Sequence, residues 1–386
     1  MMDSSKYENK RGKGGIYIHV PFCRKKCNYC NFFSISSLSV DNCMDEYVQA
    51  LVQNINNSPY KGFEADSIYF GGGTPSLLSP VQIERILRAV YGKFKISSPE
   101  ITIEVNPGSI GKEYFSLLIN TGVNRVNIGV QSLNNRILKL LGRIHGLKTA
   151  VDCFYNARNA GFKNIGLDII YGIPGQSMDD LENDLESFMA LSPEHISAYM
   201  LSVEDGTRMV EMIKNGEIPD LDEQAQADSF LFVNNYIKGA GYIFYEVSNY
   251  AKDGYFSRHN MKYWNYNPYL GFGPSAHSFY FPLRWSEPSD FNLWLENIRT
   301  GQQKGRILEF ISKDMEMMEF LYLGLRQSKG IDKNQYKKRF FSCFDEKYSG
   351  QIKSLVKEGY VKETEDRLFL TESGFLFLDH ITEKFI

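Results

Sequence analysis

Gly15-Ile16-Tyr17-Ile18-His19-Val20-Pro21-Phe22-Cys23-Arg24-Lys25-Lys26-Cys27-Asn28-Tyr29-Cys30 decides the reading of this chain. An apolar, β-branched run leads straight into three cysteines spaced C-x3-C-x2-C. The run suits a buried strand, and the thiols suit an iron-sulfur site, because cysteine thiolates hold such clusters. A [4Fe-4S] cube normally takes four thiolates, so three leave one iron without a protein ligand, much as a catalytic zinc keeps one position for substrate. The residues alone leave a second reading open: His19 stands four residues before Cys23, and His-x3-Cys-x3-Cys-x2-Cys could hold a structural zinc. Disulfides are disfavoured, since six cysteines in 386 residues without a signal-peptide pattern point to a reducing compartment. Cys43, Cys153 and Cys343 are isolated and read as small buried hydrophobes.

Composition narrows the class without naming a chemistry. A chain of 386 residues with 43% hydrophobic content can bury one large domain and a small one. Net charge is only -3, which argues against a global electrostatic partner such as nucleic acid or an anionic membrane. No stretch approaches 18 uninterrupted apolar residues and the first 14 are polar, so no transmembrane segment and a cytoplasmic location are expected.

Short β-branched runs alternate with helical periodicity at about thirty-residue intervals, the pattern of repeated βα units. Six strands are predicted, over 15–22, 67–71, 101–106, 125–131, 166–171 and 196–201. Helices follow over 41–55, 80–91, 112–120, 147–160, 178–191 and 223–239. Ser79 as N-cap, Pro80 at the first position and Ile83, Ile86, Leu87 and Val90 on one face frame the second helix. The fold class is therefore α/β, a partial parallel (β/α)6 TIM-like barrel, and sites in such barrels lie at the C-terminal strand ends.

Those ends carry unusual residues. The first strand runs into the cysteine loop, the second into Gly71-Gly72-Gly73-Thr74-Pro75, the third holds Glu104 before Asn106-Pro107, the fourth ends on Gln131, and the fifth holds Asp168 before Gly172-Ile173-Pro174-Gly175-Gln176. A polar side chain in a buried parallel strand is costly without a partner. One alone would read as a satisfied core residue; five strand ends that agree read as a ligand site. Glycines there let backbone approach a ligand closely.

The cysteine spacing and the Gly-Gly-Gly-Thr-Pro turn resemble the radical S-adenosylmethionine (SAM) proteins. In that family the open iron chelates the methionine end of SAM, and the cluster cleaves it reductively to a 5′-deoxyadenosyl radical. The resemblance implies a [4Fe-4S] cluster on Cys23, Cys27 and Cys30, SAM-binding positions at Tyr17, Gly72, Gly73, Thr74, Glu104, Gln131, Arg143 and Asp168, and a reductant protein as partner. Arg143, in Leu141-Gly142-Arg143-Ile144-His145, offers charge-assisted hydrogen bonds suited to a carboxylate.

Over nearly its whole length the chain resembles the oxygen-independent coproporphyrinogen III oxidase family, which has two branches. The oxidase proper carries a fourth cysteine two positions after the third and a longer segment ahead of the cluster. This chain has Phe32 there, and resembles instead the HemW-like haem-chaperone branch, whose His-Asn-x-x-Tyr-Trp motif matches His259-Asn260-Met261-Lys262-Tyr263-Trp264. That implies haem or porphyrin as ligand and haemoproteins, respiratory ones among them, as acceptors. An imidazole can ligate haem iron and aromatic faces can pack a porphyrin, so His259 is the expected haem residue, with His277 nearby. The same stretch, 242–280, also reads as an aromatic interdomain core around one hydrogen-bonded histidine.

Two domains are expected: 1–245, the cluster- and SAM-binding barrel, and 246–386, an aromatic-rich region followed by a winged-helix-like α+β segment. In its last part Ile352, Leu355 and Val356 share a helix face, a turn at Glu365-Asp366 joins two strands, and Thr371 caps the last helix. Lys333, Lys337, Lys338, Arg339, Lys347, Lys353 and Lys357 read as a solvated face rather than a nucleic-acid surface. Three functions stand apart at this point: a haem chaperone with a radical SAM cluster, a porphyrinogen dehydrogenase that decarboxylates propionates oxidatively, and a zinc-stabilised binding module.

Overall fold

Six parallel strands form the middle of one twelve-stranded sheet in the computed structural model, which describes residues 12–36 and 40–385. The polar residues 1–11 of the expected N-terminal stretch lie outside those described. The six are β1 (Gly14–Val20), β2 (Glu64–Gly72), β3 (Lys95–Val105), β4 (Arg125–Gln131), β5 (Ile165–Tyr171) and β6 (His195–Met200), paired in that order. Each is followed by its expected helix: α1 (Val40–Asn56), α2 (Pro80–Lys93), α3 (Lys112–Leu118), α4 (Leu147–Asn159), α5 (Met178–Leu191) and α6 (Glu223–Gly239). This is the partial α/β barrel that the βα periodicity predicts.

Strand alternation builds the barrel's two environments. Ile16, Ile18 and Val20 of β1, Ile68 and Phe70 of β2 and Ile101, Ile103 and Val105 of β3 are buried in the large apolar core with Ile83, Ile86, Leu87 and Val90 of α2. Replacing one such isoleucine by alanine costs about 2–5 kcal/mol. The alternate residues are polar or aromatic: Tyr17 and His19, Ser67 and Tyr69, Thr102 and Glu104, Arg125 and Asn127, Asp168, His195 and Ser197. Ser79 accepts from Gln82 N and Gln82 reciprocates, a capping box whose loss costs about 1 kcal/mol.

The sheet extends past the six strands on both sides. β8 (Asn249–Ala251) pairs antiparallel with β6 and β7 (Ile243–Glu246) antiparallel with β8 at the edge, while β9 (Tyr269–Phe272) lies parallel to β1 and continues into antiparallel β10 (His277–Tyr280), β11 (Leu283–Ser286) and β12 (Ile307–Phe310). The boundary expected at 245/246 falls within β7, and strands from residues 249–310 belong to the large sheet.

A separate three-stranded sheet follows, β13 (Ile331–Asp332), β14 (Val361–Glu363) and β15 (Arg367–Leu370), with β15 in the middle. Helix, hairpin and Thr371-capped helix occur as expected, the Thr371 side chain accepting from Gly374 N at 3.0 Å. Ile352 and Leu355 are buried, but Val356 is 42% exposed and does not share their face. Lys333, counted among the basic residues, is paired with Asp345 and Glu363. Among the described residues no helix is long and apolar enough to cross a membrane.

Candidate functional site: a cysteine-lined cavity at the strand ends

A cavity of about 620 Å³ opens at the C-terminal ends of the six strands, within the size range of ligand pockets. Cys23, Cys27, Cys30, Gly72, Gly73, Glu104, Gln131, Arg143 and Asp168 all line it. Thr74 lines a small recess beside it with Cys27, Asn106 and Arg143.

Backbone contacts explain why the cysteine loop and the glycine turn sit together. Gly73 N donates to Val20 O at 2.8 Å and Thr74 N to Phe22 O at 2.7 Å. A Cβ on Gly73 would lie 2.6 Å from Phe22 O, and one on Gly72, whose φ is +109°, 2.7 Å from the His19 ring, so only glycine permits this approach. The far side of the loop is held by Asn28, whose N and Nδ2 donate to Leu141 O at 3.0 Å and Leu140 O at 2.7 Å. Gly142, at φ +77°, leaves room for that side chain.

Donors converge on the sulfurs. Thr74 Oγ1 donates to Cys23 Sγ at 3.5 Å, and Arg143 Nη1 to Cys27 Sγ at 3.3 Å. Arg143 Nη2 also donates to Asn106 Oδ1 at 2.7 Å and Gly129 O at 2.6 Å, while its buried Nε has no hydrogen-bond partner among the described residues. Burial pushes the Cys23 and Cys30 thiols up, and Arg143 opposes this at Cys23.

This donor set fits a [4Fe-4S] cluster: three thiols open on one cavity beside a guanidinium that favours their anionic form. The single-ion alternative does not fit. A structural zinc would need the His19 imidazole as a fourth ligand beside the three thiols. His19 is instead engaged at both nitrogens, Nδ1 with Tyr17 Oη at 3.1 Å and Nε2 with Phe33 O at 3.1 Å.

Two carboxyls line the same cavity as the thiols. Tyr69 Oη donates to Glu104 Oε1 at 2.8 Å, and burial, opposed by that bond, raises Glu104 to about 7. Asn127 Nδ2 donates to both Asp168 oxygens at 2.8 Å; burial still raises this carboxyl. Gln131 holds φ +70°, a conformation costly for a non-glycine residue that aims its side chain from the strand end. Positive ligand groups would find acceptors here, as the ammonium and sulfonium of SAM require.

Two expected contacts are not on the cavity wall. Tyr17 lies behind it, its ring against Gly71 and its hydroxyl turned to His19. His259 is 1% exposed, inside the barrel, with Nδ1 bonded to Ser67 Oγ at 3.0 Å and Nε2 to Tyr263 Oη at 3.0 Å. The histidine expected to bind haem is thus enclosed here, with both ring nitrogens hydrogen-bonded and 1% of its surface exposed. Asn106, from the strand-end set, also lines the cavity, and Lys25, Lys26, Tyr199 and Met200 line it without having been singled out as ligand residues. Asn127 was legible in principle, since Arg125 and Asn127 alternate with Val126 and Ile128. Asn28 gave no signal.

Fold and cavity define a radical SAM protein, and comparison with known proteins agrees. The Radical SAM superfamily matches residues 17–188 and the HemN C-terminal domain residues 311–377. The chain is 32% identical over 374 residues to the heme chaperone HemW of Lactococcus lactis, covering 96% of each. It is 34% identical over 382 residues to that of Escherichia coli, covering 96% of this chain and 97% of the relative. The chain belongs to the HemW heme chaperone family. Its fold matches the solved coproporphyrinogen III oxidase HemN of Escherichia coli, with a TM-score of 0.84 at 22% identity over 98% of this chain and 91% of that one.

Proposed function

We propose that this protein binds haem as cargo and delivers it to haemoproteins, while a [4Fe-4S] cluster with SAM occupies the barrel mouth. The observation that carries this reading is Phe32. It lies 70% exposed on the cavity rim, two positions after Cys30, where the resembling oxidases carry a further cysteine. The porphyrinogen dehydrogenase alternative thus lacks a residue its branch carries.

Cys23, Cys27 and Cys30 would hold the cluster, which supplies a redox-active iron with one position open to SAM. Arg143 and Thr74 stabilise thiolate charge, Gly72 and Gly73 admit the ligand's backbone-like end, and Glu104 and Asp168 receive its positive groups. Cargo iron needs an accessible ligand. Of the six histidines, His19, His145, His195 and His259 are buried and only His277 and His380 are exposed. His277 opens β10 with its backbone packed on Gly271, the partner of Tyr17 in β1, and is the favoured ligand on this reading.

The reading is tested by loading purified protein with haem and adding an apo-haemoprotein. Transfer visible in the Soret band, absent with haem-free protein, is expected; a protein that neither binds nor releases haem contradicts it.

A further inference from the structure

We infer that His259 is a positioning residue for the SAM pocket, acting through Tyr69 on Glu104. The inference rests on the SAM reading of the cavity. His259 precedes a short helix (Asn260–Trp264) anchored near the start of β2, where Lys262 Nζ pairs with Asp66 Oδ1 at 2.5 Å, and by Gln327 Nε2, which donates to Trp264 O at 2.9 Å. Anchored from both sides, the helix start holds the imidazole in one pose.

That pose is used. The His259 ring stacks on Tyr69 with centroids 5.1 Å apart, and Tyr69 Oη is the donor to Glu104 Oε1 at 2.8 Å on the cavity wall. Tyr17 stacks on both rings, at 6.2 Å from each. Gly15 is bare where a Cβ would come 2.9 Å from the His259 ring. Ser67 and Tyr263 fix the ring's orientation through its two nitrogens, and a neutral imidazole satisfies both, being donor at one nitrogen and acceptor at the other. An imidazole so enclosed can set the tilt of Tyr69, and thereby where the Glu104 carboxyl points, but cannot touch SAM or haem. The His-Asn-x-x-Tyr-Trp segment therefore ties residues near the start of the small C-terminal unit, through Gln327, to the floor of the SAM pocket.

The test measures SAM affinity on cluster-loaded protein, by the change SAM causes in the reduced cluster's electron paramagnetic resonance, for His259→Phe, Tyr69→Phe, the double variant and His259→Gln. His259→Phe keeps a flat ring but loses both hydrogen bonds. SAM binding about tenfold weaker, with iron, sulfide and haem affinity unchanged, is expected for each single variant, and the double variant should be no worse than the poorer single one, because coupled residues are not additive. His259→Gln, which can donate and accept, should recover most of the loss. If His259→Phe does not fold, Gly15→Ala displaces the same ring without changing its chemistry and should weaken SAM likewise. Unchanged SAM affinity in the folded variants, or independent losses that multiply in the double variant, overturns the inference. Wild-type protein with an intact cluster and no SAM binding overturns the SAM site itself.

Discussion

Arg143 bridges the cysteine loop and the strand ends: one guanidinium nitrogen lies 3.3 Å from Cys27 Sγ while the other bonds Asn106 and Gly129 O. The arrangement ties the redox centre's ligand to the SAM wall through a single side chain. Arg143→Ala should weaken SAM binding by the loss of charged hydrogen bonds, on the order of 1.5–3 kcal/mol or roughly 10- to 100-fold. Arg143→Lys should recover only part, since a point charge cannot serve three acceptors in a fork. Isothermal titration of cluster-loaded variants checks both.

Anaerobically purified protein should carry about four iron and four sulfide per chain. Cys23→Ala, Cys27→Ala or Cys30→Ala should each lose the brown colour, whereas Cys43→Ala, whose side chain packs against the apolar core and does not line the cavity, should keep it. Stoichiometric zinc without sulfide would remove the radical SAM assignment.

Glu104 gives the pocket a pH signature. Its folded value of about 7 lies above the ordinary 4.5, so the folded state holds this proton more tightly than the unfolded state does. The associated stability is present below about 4.5 and is lost as pH rises through 7, a swing on the order of 3 kcal/mol. Thermal melts of the SAM-free protein should therefore show Glu104→Gln gaining on wild type between pH 5 and 8. SAM affinity should rise over the same interval in wild type as the carboxylate forms, and stay flat in the variant.

Haem binding should survive His259→Ala, because that imidazole is enclosed, and should weaken or change its absorption spectrum in His277→Ala. The opposite pattern in folded variants would mean that the barrel opens to expose His259.

Much of this was legible locally. Each βα unit announces itself within a few residues, because Ile16, Ile18 and Val20, or Ile101, Ile103 and Val105, alternate with the residues that face inward. The cysteine loop, glycine turn and inward polar residues were legible for the same reason, since each sits at a strand end whose direction is set by its own alternation. What escaped depends on distant closure. Ser67, which occupies one nitrogen of His259, stands 192 positions away in the chain, so no spacing rule distinguishes an open ligand from an enclosed one. The extension of the sheet through Tyr269–Phe272 beside β1 was hidden likewise; part of the aromatic density that suggested a separate region, Tyr263 and Phe279, packs on Tyr269 of that strand.

The central claim is that the barrel serves haem delivery rather than porphyrinogen oxidation, and one measurement tests it most directly. Cluster-loaded protein with SAM and a reductant is divided, one half titrated with haem and the other supplied with coproporphyrinogen III. The account predicts saturable haem binding and no detectable protoporphyrinogen. Robust conversion of coproporphyrinogen by a protein that binds no haem would contradict it.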